Sequence, residues 1–313
     1  MTSLLGFKQY VKRFYSKFET YITYIWKFLL ALITILTINN KLGYMGSLRN
    51  GAIVMMASLL CAILPPNFII FMAALFIVGH LYSLAVGCAL IAGIIFLLMF
   101  LLYFRFSPKD SLAVLLTPLF FFMHIPYVMP LAMGLLGNPA SVVSVSFGLV
   151  IAFMINFFSA NATSFGSEGV EEAAYEFRSI IGGIIGNKTM IVMIAAFAVT
   201  LVLVYIIRRA SVDHSWKIAI AVGSIALIIT LLIGTLAAET EISIPGVILG
   251  TIISAALMLV VEFFAFNLDY NRTEKVQFED DEYYYYVKAV PKVTVSTPER
   301  KVKKINRTSK QQR

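Results

Sequence analysis

An all-α polytopic membrane protein is the fold class this sequence predicts, and three observations predict it. Of 313 residues, 59% are hydrophobic and only 13% charged, with a mean hydropathy of +0.85. Soluble domains carry about 25% charged residues, and here the deficit is concentrated in long apolar runs. Those runs lack the apolar–polar alternation of a transmembrane β-barrel, so helices are the expected spanning elements. The third observation is punctuation. Prolines cut the apolar stretch from Gly51 to Ser159 at Pro65-Pro66-Asn67 and at His124-Ile125-Pro126. About six full transmembrane helices are expected, plus two proline-broken hairpins, re-entrant or paired as short crossings, in an inverted repeat.

Residues 1–20 place Phe7, Val11, Phe14 and Phe18 at helical spacing among Lys8, Lys12, Arg13 and Lys17. This is a basic amphipathic helix suited to an anionic membrane surface. It does not read as a signal peptide, because Lys27 interrupts the apolar stretch and no small-residue cleavage site follows.

A transmembrane domain is expected over 21–266, beginning with a span at 21–38 whose Lys27 is close enough to one end to snorkel. Residues 52–64 come next. A helix of that length reaches roughly 20 Å against a hydrocarbon core of about 30 Å, too short to span unaided. Pro65 and Pro66 stop it, and Gly79, His80 and Ser83 mark a softer break before a full span at 84–104. After the basic loop Arg105–Lys109, residues 111–123 are short again and carry Pro118. A second short piece follows Pro126 and ends at Gly137-Asn138-Pro139, before a full span at 141–159. Units 52–104 and 111–159 are therefore expected to be inverted copies, and aligning Pro65 with Pro126 also aligns Gly87 with Gly148.

Within the polar segment 160–189, Val170, Ala173, Ala174, Phe177 and Ile181 share one helical face opposite Glu171, Glu172, Glu176 and Arg178. An extracytoplasmic amphipathic helix is expected there. Glu172-Ala173-Ala174 resembles the EAA loop of ABC importer permeases, which docks their ATPase in the cytoplasm, and the resemblance implies an ABC-type permease subunit. Arg178 stands where that motif has its glycine. Spans at 190–207, 218–236 and 245–266 complete the domain, the last with Gly246, Gly250 and Ser254 in a small-xxx-small packing stripe. Residues 267–313 read as a largely disordered cytoplasmic tail. They hold an acidic block, Glu279–Glu282, then Tyr283, Tyr284, Tyr285 and Tyr286, and a basic end.

Charge sets the expected orientation. With the basic N-terminus in the cytoplasm, Arg105, Lys109, Arg208, Arg209 and the basic tail also fall inside, while the loop with Glu239 and Glu241 falls outside. Only Lys41 and Arg49 dissent. Both termini are thus expected in the cytoplasm of a multi-pass protein in a cell membrane, such as a bacterial inner membrane. The net charge of +8 follows from this bias and from anionic lipid. Nucleic acid is not an expected partner.

Pro65, Pro66, Asn67, His80, Thr117, His124 and Pro126 are the candidate pathway residues. Polar groups and broken backbone inside a membrane persist where they are covered by protein, line water or serve a site. An enzyme is not expected. The histidines His80, His124 and His214 lack metal-ligand spacing, Cys61 and Cys88 lie in apolar runs, and no nucleophile elbow or phosphate loop occurs. No metal or cofactor is expected either. The reading is a transporter- or channel-like protein with its pathway at the two hairpins. The alternative is a non-transport scaffold or assembly subunit that recruits a cytoplasmic protein through Tyr283–Tyr286. The other partners expected are the bilayer, anionic lipid at the N-terminal helix, and a second copy of the chain.

Overall fold

The computed structural model describes residues 2–165, 170–265 and 274–289. They divide into one unit, Phe18–Ala265, and a second formed from the two ends of the chain. Helix α1 (Thr2–Lys41) enters both, and its one non-helical residue is Phe18, at φ −116° and ψ 20°. Phe7, Phe14 and Phe18 are exposed.

In the larger unit α1 is followed by α2 (Gly51–Ile63), α3 (Pro66–Leu84), α4 (Val86–Phe106), α5 (Ser111–Phe122) and α6 (Val128–Leu136). Then come α7 (Ser141–Ala160), α8 (Val170–Ile185), α9 (Lys188–Arg208), α10 (Ser215–Ala238) and α11 (Ile244–Ala265). Among the described residues seven helices are long and apolar enough to cross a membrane: α1, α3, α4, α7, α9, α10 and α11. By length and composition this is a multi-pass membrane protein.

The additional long helix is α3. Gly79, His80 and Ser83 do not break it; the interruption falls at Ala85, whose backbone is extended at φ −159° and ψ 141°. A single helical glycine costs only about 1 kcal/mol, and the His80 ring is hydrogen-bonded within the fold, so nothing local stops the helix there.

Side-chain contacts name the two ends of this unit. At one, the Asp110 end, Asn67 Nδ2 donates to Pro108 O (3.0 Å) and Ser141 Oγ donates to Asp110 Oδ2 (2.6 Å). At the other, the Lys41 end, Met45 N–H donates to His80 Nδ1 (3.1 Å) and Tyr44 Oη donates to Phe158 O (3.1 Å). Helices α2, α3 and α4 run toward, away from and toward the Asp110 end, and α5, α6 and α7 run the reverse. Their packing does not repeat, since α2 leans on α3 whereas α5 packs most closely on α7. The aligned glycines differ likewise. A Cβ at Gly87 would meet nothing within 4 Å, but one at Gly148 would sit 2.4 Å from Thr117 Cβ. Helix α7 contributes to both of the large buried clusters, one shared with α1, α3, α4 and α5, the other with α9, α10 and α11.

The chain-end unit adds two strands to a fold class read as all-α. Strands β1 (Glu274–Glu279) and β2 (Tyr284–Ala289) pair antiparallel, with Phe278 opposite Tyr285 and Val276 opposite Val287. Asp280 makes the turn, its side chain accepting from Glu282 N–H (3.0 Å), Tyr283 N–H (2.7 Å) and Tyr285 Oη (2.9 Å). A largely disordered tail was the expectation, and the alternating Val/Phe and Tyr/Val faces explain why these residues pair instead. The remainder of the tail and residues 166–169 lie outside the described residues.

Candidate functional site

The first proline break builds a tie at one end of the bundle. Asn50 caps α2, its side chain accepting from Ala52 N–H. Pro66 takes the first helical position of α3, where a missing N–H leaves no bond unmade. Half-buried Asn67 is held from both sides, its Nδ2 on Pro108 O and its Oδ1 accepting from Tyr103 Oη at 2.9 Å. These contacts fasten the start of α3 to the α4–α5 turn.

Lys27 completes this corner, and it does not snorkel. Only 7% exposed, it donates from Nζ to Leu64 O (3.0 Å) at the end of α2 and lies 5.3 Å from the centroid of the Tyr24 ring. The reason is a free carbonyl. Pro65 and Pro66 prevent the chain from continuing the helix, and a cation beside a helix C-terminus satisfies both the carbonyl and the dipole.

His80 lies at the opposite end of α3 and is 0% exposed. Its Nδ1 accepts from Met45 N–H, which leaves Nε2–H to donate to Asn39 Oδ1 at 2.8 Å. Asn39 Nδ2 in turn donates to Leu48 O at 2.9 Å. The histidine therefore locks the loop 42–50 onto α1 and α3.

The second break is a reversal short of the far end of α7. Helix α5 runs beside α7 in the same direction, with Asp110 at Ser141, Thr117 at Gly148, and the Phe121 and Phe153 rings 5.0 Å apart. From Phe153, α7 continues to Ala160, so α5 stops roughly 10 Å short of its neighbour's end. His124 makes the stop. At φ 64° it is left-handed, with His124 N–H on Phe121 O (3.0 Å) and Ile125 N–H on Phe120 O (2.9 Å). These two bonds are a Schellman ending, with Pro126 just beyond it. The His124 side chain is exposed at this tip. Nearby Lys41, one of the two cations that dissent from the charge pattern, holds its Nζ 5.0 Å from the centroid of the Phe122 ring.

Helix α6 then returns to the Asp110 end, where Arg208 of α9 caps it. The guanidinium donates to Leu135 O and, at 2.6 Å, to Gly137 O. Tyr127, at the start of α6, packs its ring 6.2 Å from that of Phe197, partway along α9, and against Gly250 of α11. A Cβ at Gly250 would fall 2.6 Å from the Tyr127 ring, so the glycine admits the hairpin. Ser254 is buried on the same stripe and donates to Gly250 O (2.6 Å), whereas Gly246 is exposed. The buried hydroxyls of Thr200, one turn from Phe197, and Thr251, next to Gly250, have no hydrogen-bond partner among the described residues. Such atoms are uncommon in packed interiors.

The fold does not bring the two breaks together. Asn67 and Pro66 lie at the Asp110 end, and His124 near Lys41. Where α1, α3, α5 and α7 meet, Thr34, Ile70, Pro118 and Ile151 line a void of about 20 Å³, room for about one water. Thr117 is buried against Gly148, donating to Ala113 O at 2.6 Å. Sequence reasoning missed Lys27 and Arg208 as helix caps and Tyr127 as the hairpin's anchor. Arg208 counted only as a charge marker, although a basic residue near a helix C-terminus carries this second meaning.

In the chain-end unit Tyr283, Tyr284, Tyr285 and Tyr286 are all exposed, and Tyr285 stacks on Phe278 with ring centroids 4.9 Å apart. Hydrogen bonds from Glu282 N–H, Tyr285 Oη and Tyr283 N–H hold the Asp280 carboxyl below its usual range. The side chains of Glu172, Ala173 and Ala174 lie outside the described ones. No family model, curated protein or solved structure matches this chain.

Proposed function

We propose that this protein passes a solute across a cell membrane, as a transporter or a channel, and that the α5–α6 hairpin is the element that does so. One observation carries the reading: both limbs of the hairpin meet the Asp110 end, and α5 stops about two turns short of the far end of α7. Re-entrant backbone at that depth persists only where protein covers it or water reaches it. Here the reversal carries an exposed His124, a left-handed peptide and a half-helix end whose carbonyls face the break. The positive-inside bias of Arg105 and Arg208 supports a cytoplasmic Asp110 end, with the tip opening outward. Tyr127 packs against α9 and α11, where the buried hydroxyls of Thr200 and Thr251 have no partner among the described residues. The first break serves to hold α3 in place.

The test is thiol accessibility in protein lacking Cys61 and Cys88. His124→Cys should react with a membrane-impermeant thiol reagent applied from outside, and the buried control Ser58→Cys should not. A His124→Cys that stays inert on both sides while Lys109→Cys labels from the cytoplasmic side would sink the reading.

A second reading is favoured by a separate observation. Val276, Phe278, Tyr285 and Val287 line one exposed face of a two-stranded sheet, and such a sheet is marginal alone. A cytoplasmic partner covering that face would make this chain a recruiting scaffold. Phe278→Asp combined with Tyr285→Asp should then abolish recovery of a protein that co-purifies with the full chain. Undiminished recovery would remove this alternative.

A further inference from the structure

A groove of about 450 Å³ runs between α3 and α4, walled by Phe71, Leu75 and Val78 on one side and Leu97 and Leu101 on the other. Its floor carries a ladder of rings, with Phe100 lying 6.2 Å from Phe96 and 6.0 Å from Phe104. Gly93 opens its far end. The volume falls in the range of small-ligand pockets, about 300–1,000 Å³. Spread over the roughly 16 Å from Gly93 to Phe104, it gives a section of about 27 Å². A section this narrow suits a single extended hydrocarbon chain. Helix–helix seams in membranes are also built from small residues, whereas Phe71, Leu75, Leu97 and Leu101 stand proud of this one. At the Asp110 end it runs out beside Arg105, on the last turn of α4, and Lys109, both exposed. The carboxylate next to Lys109 in sequence, Asp110, is engaged by Ser141 of α7.

We propose that this groove binds one acyl chain of an anionic phospholipid, with Arg105 and Lys109 holding the headgroup phosphate. The hydrocarbon accounts for the shape and the two cations for the headgroup charge. The site depends on membrane embedding and is independent of how a solute crosses.

Native mass spectrometry of the full chain in detergent tests this, with phosphatidylglycerol and phosphatidylcholine of identical acyl chains as probes. The wild type should retain one phosphatidylglycerol and bind phosphatidylcholine at least roughly tenfold more weakly. Gly93→Leu should empty the groove without lowering the melting temperature, because a Cβ there meets nothing within 4 Å. Arg105→Gln with Lys109→Gln should weaken phosphatidylglycerol roughly thirtyfold and leave phosphatidylcholine unchanged. Equal affinity for the two lipids in the wild type would overturn the proposal. So would unchanged phosphatidylglycerol occupancy in Gly93→Leu, or a dimer that this substitution dissociates, which would assign the groove to a second copy.

Discussion

Pro65 and Pro126 sit at matching places in the two hairpins, yet the helix after Pro65 has 19 residues whereas the helix after Pro126 has nine. The first hairpin consequently runs from the loop 42–50 to the Pro108 turn and back. The second turns beside Lys41, about two turns short of the far end of α7. A proline marks a helix boundary in both cases; the length of the apolar run beyond it decides how long the following helix is. In α3 that run continues to Leu84, while α6 meets Gly137-Asn138-Pro139 within three turns. The hairpins also share something the prolines do not announce. Helices α2 and α6 both end at the Asp110 end, and each has its last carbonyls met by a cation from a longer helix, Lys27 for α2 and Arg208 for α6. Two helices shorter than the seven long apolar ones are held by the same device.

If capping matters most where the hairpin is shortest, Arg208→Ala should have the largest effect. It removes two charge-assisted hydrogen bonds from Leu135 O and Gly137 O, at a cost of about 3 kcal/mol. Unfolding in detergent should show that loss, with Arg208→Lys recovering about half of it. A change below about 1 kcal/mol would mean that α6 is held by packing alone. The repeat is tested next. Gly148→Ala must push Thr117 and the Val114 carbonyl aside, costing about 1–3 kcal/mol. Gly87→Ala meets open space and should stabilise by up to about 1 kcal/mol through helix propensity. Equal losses at the two glycines would mean that they are packed alike, as an inverted repeat expects.

How much the sequence discloses depends on the range over which each signal acts. Apolar length located six of the seven long helices among the described residues, and Gly137-Asn138-Pro139 ended α6 where it does end, because both signals act within a few residues. The continuation of α3 through Gly79, His80 and Ser83 was not legible. It depends on Asn39 and Met45 satisfying the His80 ring from 41 and 35 residues away. Lys27 misled for the same reason: its acceptor, Leu64 O, lies 37 residues on, and isolated in sequence it resembles an interfacial lysine. His124 stood out correctly as the polar residue of the second tip. Its left-handed backbone could not be foreseen, since glycine or asparagine ordinarily takes that position.

Lys27→Met sharpens the comparison from the other hairpin. One neutral acceptor is lost instead of two, and the methionine fills the stem's space while removing a buried charge whose desolvation is itself unfavourable. The expected loss is about 1 kcal/mol, measured under the conditions used for Arg208→Ala. Because the two caps belong to separate hairpins without shared partners, the double variant should lose the sum to within about 0.5 kcal/mol. A larger deficit would show that the hairpins are coupled.

His124→Gly should have the smallest effect on stability and is the most informative about function. A left-handed conformation costs an ordinary residue about 1–2 kcal/mol, and glycine removes that cost while adding about 0.5–1 kcal/mol of chain entropy to the unfolded state. The net change expected is between zero and about 1 kcal/mol of stabilisation, read as an unchanged or raised melting temperature. The Schellman ending survives, since both of its hydrogen bonds are backbone bonds, so the hairpin keeps its shape without its only exposed imidazole. Solute flux in vesicles then separates the two roles of this residue. Flux that falls while stability holds assigns the side chain to the passage. Flux that persists makes His124 a helix stop, and leaves Tyr127 with its neighbouring threonines as the groups to substitute next.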